Sequence, residues 1–160
     1  MRLKILVSVG THPQPFDRLL KELDMLVADG KLKAEIFAQT GNSIFEPMHF
    51  PSKRFVSGKQ YEDSFSKANI VISHGGAGTI INALKAGKKT IVVPRYEKFG
   101  EHTNDHQVDL AKALEKEGKC LAVFDITELE NALEKASKFK PKLASNKAQL
   151  VKRISDFIGN

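Results

Sequence analysis

The chain has 160 residues, of which 41% are hydrophobic and 28% are charged. This length and composition are typical of one soluble globular domain, so we expect residues 1–160 to form a single domain and exclude the disordered and fibrous classes. The net charge of +6 favours an anionic partner, but it does not distinguish nucleotide phosphates, acidic lipids and nucleic acid.

Two features of the sequence bear on the cellular compartment. The apolar stretch at residues 3–9 is too short for a signal-peptide core or a membrane span, which favours a cytoplasmic strand. The single cysteine, Cys120, cannot form an internal disulfide, and its apolar neighbours predict a buried thiol. The lysines that concentrate near the C-terminus are compatible with either a solvated helix face or a membrane-facing patch.

Short apolar runs alternate with segments of helical periodicity along the chain. Strands are predicted at residues 3–9, 34–38, 53–56, 69–73, 90–94 and 120–124. Helices are predicted at 16–27, 61–67, 79–85 and 105–117, and from Thr127 with a capping box to Glu130. Pro141 begins or interrupts a final helix that ends near Ile158. Because the strands are continuously apolar, we expect an α/β fold, a Rossmann-like doubly wound parallel sheet with helices on both faces.

Ligands of such sheets bind beyond the carboxyl ends of the strands, so the loops that follow strands are the candidates for function. One of them is the turn His74-Gly75-Gly76-Ala77-Gly78-Thr79. Its backbone N–H groups and the positive end of the next helix suit a phosphate, and the His74 and Thr79 side chains add donors. The alternative is a tight turn that only brings strand and helix close together. The spacing matches neither the P-loop nor the dinucleotide fingerprint, which disfavours nucleotide hydrolysis and NAD binding.

The loop at residues 95–107 carries many polar side chains at the end of a strand. Its last residues, Asp105, His106 and Gln107, begin the next helix, where carboxylate and amide groups can bind sugar hydroxyls. A role of Asp105 as a helix cap is an equally good account of that residue. The histidine spacing matches no common zinc pattern, so we expect no metal. The loop Gly10-Thr11-His12 repeats the strand-then-small-residue pattern and adds a second set of donors.

Three segments in this order, Ile72 to Thr79, Gly87 to Pro94 and Glu101 to Gln107, resemble the C-terminal domain of family 28 glycosyltransferases. The resemblance extends over nearly the whole chain and is strongest to the small, stand-alone donor-binding subunits of two-component enzymes. It implies a GT-B enzyme in which this domain binds the UDP-sugar and a membrane-anchored partner subunit carries the acceptor-binding domain.

The function implied by the resemblance is inverting transfer of a sugar, N-acetylglucosamine, from UDP to a polyprenyl-diphosphate-linked acceptor. No metal cofactor and no nucleic acid are expected, and the protein would be cytoplasmic and peripheral at the membrane through its partner. The alternative is a non-catalytic module that binds a nucleotide sugar or stabilises its partner.

The sequence and the resemblance together assign twelve nucleotide-sugar-binding residues. They are Gly10, Thr11, His74, Gly75, Gly76, Ala77, Gly78, Thr79, Asn82, Asp105, His106 and Gln107. Asn82 stands where relatives often carry an acidic residue that bonds the ribose, and its amide can bond a hydroxyl without the added strength of a charge. His12 and Glu101 were considered as general bases, and neither is assigned as catalytic.

Overall fold

The computed structural model describes residues 2–142 and 146–158, and its centre is a six-stranded parallel sheet. The strands are β1 (Leu3–Ser8), β2 (Ala34–Gln39), β3 (Ser52–Lys53), β4 (Ile70–Ser73), β5 (Lys89–Val92) and β6 (Leu121–Ala122). They lie in the order β3-β2-β1-β4-β5-β6, and every neighbouring pair is parallel. The predicted parallel sheet is confirmed.

Helices cover both faces of this sheet. They are α1 (Asp17–Ala28), α2 (Gly58–Lys67), α3 (Ala77–Lys85), α4 (His106–Lys116), α5 (Leu129–Ala136) and α6 (Lys147–Ile158). One face packs against α1 and α5, and the other packs against α2, α3, α4 and α6. Along β1, Ile5 and Val7 face the first layer while Leu6 faces the second. This burial on both faces explains why the strands are continuously apolar in sequence.

The sheet reverses its winding direction between β1 and β4. From β1 the chain proceeds through β2 to the edge strand β3, whereas from β4 it proceeds through β5 to β6. The chain therefore leaves the carboxyl ends of β1 and β4 toward opposite faces of the sheet, because α1 and α3 lie on different layers. A crevice opens between two such loops in doubly wound folds, and ligands bind there. The loops in question begin at Gly10 and His74.

Several predicted boundaries were wrong. The strand expected at residues 120–124 is the two-residue β6, and α2 begins at Gly58, before the expected residue 61. Three further boundaries differ. The strand expected at residues 53–56 is the two-residue β3, since an edge strand is held by one neighbour only. The capping box at Thr127 does not form, because the Asp125 carboxylate accepts the Thr127 N–H and starts a 3₁₀ turn, so that α5 begins at Leu129. The last helix begins at Lys147, well after Pro141, and residues 143–145 lie outside the described part of the chain.

Gly41, just after β2, contacts the loop that follows β1. Its φ is +55°, and a Cβ there would collide with the carbonyl oxygen of Gly10. Gly41→Ala should therefore lower the free energy of unfolding by about 2–4 kcal/mol through left-handed strain and overpacking. In the matched control Gly30→Ala, φ is +71° but the Cβ enters open space, so only about 1 kcal/mol of left-handed strain is expected. Urea denaturation compares the two variants, and equal losses would contradict the contact.

Candidate functional site

Most of the predicted site residues lie around two adjoining cavities at the switch point, the place between β1 and β4 where the sheet reverses its winding direction. The first, which we call the switch-point cavity, has a volume of about 460 Å³, and its lining includes Gly10, Thr11, His12, His74, Gly76, Gly78, Thr79 and Gln107. The second, the side cavity, has a volume of about 180 Å³, and its lining includes Gly75, Gly76, Ala77, His102, Asn104, His106 and Gln107. Gly76 and Gln107 border both cavities, so the two lie next to each other at the N-terminus of α3.

A third cavity of about 690 Å³, the outer cavity, adjoins the switch-point cavity on the α2 side. Gln39 and Tyr61 line both of them, and Asn82 lies in the outer one, one helical turn after Thr79. The structure thus separates Asn82 from the glycine turn but keeps it beside the same crevice. No motif in the sequence points to Gln39 or Tyr61, since Gln39 ends a strand and Tyr61 lies in an amphipathic helix.

Asp105 is the predicted residue that lines none of these cavities. Its carboxylate accepts the backbone N–H of Glu97 at 2.9 Å, which stabilises the 3₁₀ turn Glu97–Phe99 inside the 95–107 loop. The side chain of the neighbouring Asn104 accepts the N–H of His106, the first residue of α4, at 3.0 Å, whereas the N-cap residue Asp105 makes no side-chain cap. In this structure the Asp105 side chain shapes the loop, and sugar binding by its carboxylate stays a prediction.

The imidazole of His74 is packed between the backbones of Gly10 and Gly76. A Cβ on either glycine would overlap the Nε2 and Cε1 atoms of this ring. Glycine at these two positions is therefore required by the His74 ring, which the sequence reading did not anticipate. Gly75 is restricted differently, since its φ is +93° and a Cβ there would lie 2.9 Å from the Cβ of Gln107.

Gly78 is the glycine of the turn with open space around it. No atom lies within 4 Å of its hypothetical Cβ, and the residue is exposed on the switch-point cavity in the first turn of α3. The N-cap residue of this helix is Gly76, which offers no side-chain cap. The first N–H groups of α3 are thus left for a ligand, and the helix dipole makes an anion the favoured one.

The two loops that border the site are held together by a buried arginine. The Arg95 guanidinium is fully buried. It donates to the carbonyl oxygens of Val9 at 2.6 Å, Gln14 at 2.7 Å and Glu101 at 2.9 Å. Burial lowers the pKa of Arg95 to about 10 even though the Glu101 carboxylate opposes the shift, so the group stays cationic at neutral pH. The sequence shows Arg95 only as one of the many polar residues of its loop, and the packing shows that its side chain turns inward.

Glu101, a general-base candidate in the sequence, has a side chain that is occupied by structural hydrogen bonds. Its carboxylate accepts two hydrogen bonds from Arg18, at 3.0 and 3.1 Å, and a third from the Tyr96 N–H at 3.0 Å. The side chain is 5% exposed and that of Arg18 is 18% exposed. These three hydrogen bonds occupy both oxygens of the carboxylate. Glu101 therefore joins α1 to the 95–107 loop.

Four of the five histidines of the chain converge on this crevice, namely His12, His74, His102 and His106. Burial, with the Arg95 charge as the second cause, lowers the pKa of His74 to about 3 and also lowers the pKa of His12. Burial and the neighbouring His12 lower the pKa of His102. These three imidazoles are therefore neutral at pH 7. In the part of the chain that the structure describes, no three His, Cys, Asp or Glu side chains group in a way that could hold a metal ion.

A groove of about 710 Å³, larger than any of these three cavities, lies elsewhere, around the amino ends of β1 and β2. Its charged residues, such as Arg2, Lys4 and Lys33, come from exposed positions, and its lining among the described residues includes the turn glycine Gly30 but no first turn of a helix. Volume alone is therefore a poor guide here, and convergent donors identify the switch-point crevice as the candidate site.

This fold and this crevice define a Rossmann-like domain of the type that forms half of a GT-B glycosyltransferase. The family model of the glycosyltransferase family 28 C-terminal domain matches residues 4–159, and the chain belongs to this family. No helix among residues 2–142 and 146–158 has the length and apolar character needed to cross a membrane.

Known proteins similar to this chain include two transferases of N-acetylglucosamine. The UDP-N-acetylglucosamine transferase subunit ALG13 of Homo sapiens is 34% identical over 123 residues, which cover 71% of this chain and 10% of that protein. The second is the UDP-N-acetylglucosamine--N-acetylmuramyl-(pentapeptide) pyrophosphoryl-undecaprenol N-acetylglucosamine transferase of Caldicellulosiruptor saccharolyticus. It is 42% identical over 89 residues, which cover 56% of this chain and 22% of that protein. The chain thus spans a small part of each of these relatives.

Among solved structures, an NMR structure of ALG13 matches with a TM-score of 0.66 at 17% identity, covering 100% of this chain and 98% of that one. At this identity the match supports the fold, and it extends over the entire length of both chains. The predicted fold class is confirmed by the sheet order and by this likeness.

The buried neutral His74 makes stability depend on pH. Its pKa falls from 6.5 in the unfolded chain to about 3 in the folded one, so its contribution is present above pH 6.5 and is lost as the pH falls toward 3. Between pH 7.5 and 5 the loss at this residue should be about 2 kcal/mol. Urea denaturation at both pH values should show a smaller loss in His74→Asn than in the wild type. The same loss in both would refute the buried neutral imidazole.

Proposed function

We propose that the chain is the donor-binding subunit of an inverting glycosyltransferase, which transfers N-acetylglucosamine from UDP to a polyprenyl-diphosphate-linked acceptor. The observation that carries this proposal is that two cavities share residues at the N-terminus of α3, and that a third, along the second half of α3, shares Gln39 and Tyr61 with one of them. Each cavity offers the chemistry that one part of a nucleotide sugar requires. Family membership and the names of the relatives, which specify UDP-N-acetylglucosamine as donor, support the same ligand.

The diphosphate would occupy the switch-point cavity. The uncapped N–H groups at the start of α3 and the hydroxyl of Thr79 face this cavity, and the exposed backbone at Gly78 allows close approach. The loop of Gly10 and Thr11 borders it from the other side. The cation of Arg95 lies buried behind both loops and adds positive potential that does not depend on pH near neutrality.

The nucleoside would occupy the outer cavity, which adjoins the diphosphate position. Tyr61 and Phe65 stack there with ring centroids 6.3 Å apart, which provides an aromatic wall for the base. Asn82 and Gln39 line the same cavity and carry amide groups able to bond the ribose hydroxyls. Asn82 is exposed, so its amide is accessible without rearrangement.

The sugar would enter the side cavity, where Asn104, His106 and Gln107 lie. The Gln107 side-chain oxygen accepts the Arg95 backbone N–H at 3.2 Å, which fixes the amide and leaves its NH₂ group for a sugar hydroxyl. The side cavity is the smallest of the three and shares Gly76 with the cavity proposed for the diphosphate.

In the proposed reaction the acceptor hydroxyl oxygen forms a bond to the anomeric carbon, while the bond from that carbon to the β-phosphate oxygen breaks. The electron pair and the new negative charge remain on UDP, where the N–H groups of α3 stabilise them. The hydroxyl proton passes to a general base that we assign to the partner subunit, since Glu101 is engaged with Arg18. We further propose that protein donors at α3 carry out this stabilisation without a divalent metal.

Gly78→Ala tests the position of the diphosphate. The added methyl group enters the switch-point cavity, so UDP affinity should fall about tenfold or more through loss of the close backbone approach. Alanine favours a helix by up to about 1 kcal/mol over glycine, so thermal stability should be unchanged or higher. Calorimetric titration with UDP and a thermal melt measure the two quantities. Unchanged UDP affinity would refute the assignment of the diphosphate to this cavity. Gly76→Ala is not a suitable test, because its methyl group would displace the His74 ring.

The transferase activity is tested with radiolabelled UDP-N-acetylglucosamine and a polyprenyl-diphosphate-linked acceptor, in EDTA. We expect transfer when the chain is co-expressed with a membrane-anchored acceptor-domain subunit, and none with either protein alone. UDP binding without transfer in the presence of the partner would instead identify a non-catalytic nucleotide-sugar-binding module. Transfer that stops in EDTA and returns with Mg²⁺ would refute the metal-free step.

A further inference from the structure

Two histidines, His12 and His102, face each other across the junction of the two cavities. His12 lines the switch-point cavity and His102 lines the side cavity. Their rings stack with centroids 4.4 Å apart and an angle of 27° between the planes. One ring comes from the loop after β1 and the other from the loop after β5, so the pair forms only in the folded chain.

Both rings are held in the same way by their own loops. The Nδ1 atom of His12 accepts the backbone N–H of Gln14 at 3.3 Å, and the Nδ1 atom of His102 accepts that of Asn104 at 3.3 Å. An Nδ1 atom that accepts a hydrogen bond carries no proton, so in each neutral ring the proton lies on Nε2. Protonation of Nδ1 would place two N–H groups opposite each other. The loops therefore select the tautomer that presents Nε2–H.

The Nε2 atoms are available to a ligand. Within residues 2–142 and 146–158, neither of them has a hydrogen-bond partner, and neither is buried from solvent. The lowered pKa values of His12 and His102 agree with neutral rings at pH 7 and above. Two fixed donors from different loops thus lie within one stack at the edge of the crevice.

We propose that His12 and His102 form a paired donor site for the terminal phosphate of a nucleoside diphosphate, each donating through Nε2–H. This inference rests on the proposed function, in which the junction of the two cavities is the junction of diphosphate and sugar. The pair supplements the N–H groups of α3 from the opposite side of the phosphate. Its charge-assisted hydrogen bonds strengthen as the departing diphosphate gains negative charge, so the pair favours the leaving group over the intact donor.

The test substitutes each histidine with asparagine. Asparagine Oδ1 can still accept the backbone N–H two residues later, as in an Asx turn, so the loops keep their structure while the Nε2 donor is lost. At pH 8, His12→Asn and His102→Asn should each weaken UDP binding about tenfold in calorimetric titration. Uridine, which lacks phosphate, should bind within about twofold of the wild type by ligand-observed NMR. Glutamine variants, whose amide reaches the Nε2 position, should bind UDP more tightly than the asparagine variants.

His49→Asn is the matched control, because His49 lies away from the crevice and contacts Asp24 at 3.1 Å. Its UDP affinity should equal that of the wild type. UDP affinity retained in both asparagine variants would overturn the paired donor site. Equal losses for UDP and uridine would also overturn it, since they indicate a general change in the loops. A wild-type chain that binds no UDP would refute the proposed function itself.

Discussion

The packing of the His74 ring against Gly10 and Gly76 is the contact on which the crevice depends. It joins the loop after β1 to the turn after β4 at the point where the sheet reverses direction. Any side chain at either glycine would force the ring out and separate the loops. The result is a crevice whose walls are backbone, with amide groups exposed at the start of α3. Backbone walls of this kind suit a phosphate, which needs several donors at short range.

A second set of contacts holds the 95–107 loop in place beside the loop at Gly10 and the turn at His74. Arg95 bonds carbonyl oxygens on both sides of the Gly10 loop, and Glu101 bonds Arg18 of α1. The charges are therefore segregated, with a permanent guanidinium inside and neutral imidazoles around it. Such an arrangement attracts an anion without requiring a histidine to be protonated first. Asp105, a predicted sugar ligand, and Glu101, a candidate general base, are both engaged in shaping the 95–107 loop.

Much of the fold could be predicted because each strand is marked locally. The apolar runs are bounded by glycine or proline, and burial on both faces removes the alternation that an exposed sheet would show. The glycine turn was visible for the same reason, since three glycines between a strand and a helix have few structural uses. Where prediction was wrong, at β3 and at the start of α5, a single tertiary or side-chain contact decided the boundary, namely an edge pairing and the Asp125 carboxylate.

By itself the sequence determined the α/β class, the parallel sheet and the loops at which a ligand could bind, because periodicity and turn residues act over a few positions. It also provided the family resemblance that the comparison with known proteins confirmed. Only the tertiary structure decided which contacts the individual residues make. The sequence is silent on which glycine is open to a ligand, on the inward turn of Arg95 and on the stacking of His12 with His102. The contact of Arg95 with Val9 and the stacking of His12 with His102 join residues 86 and 90 positions apart, and such contacts are fixed by how the layers pack rather than by local preference.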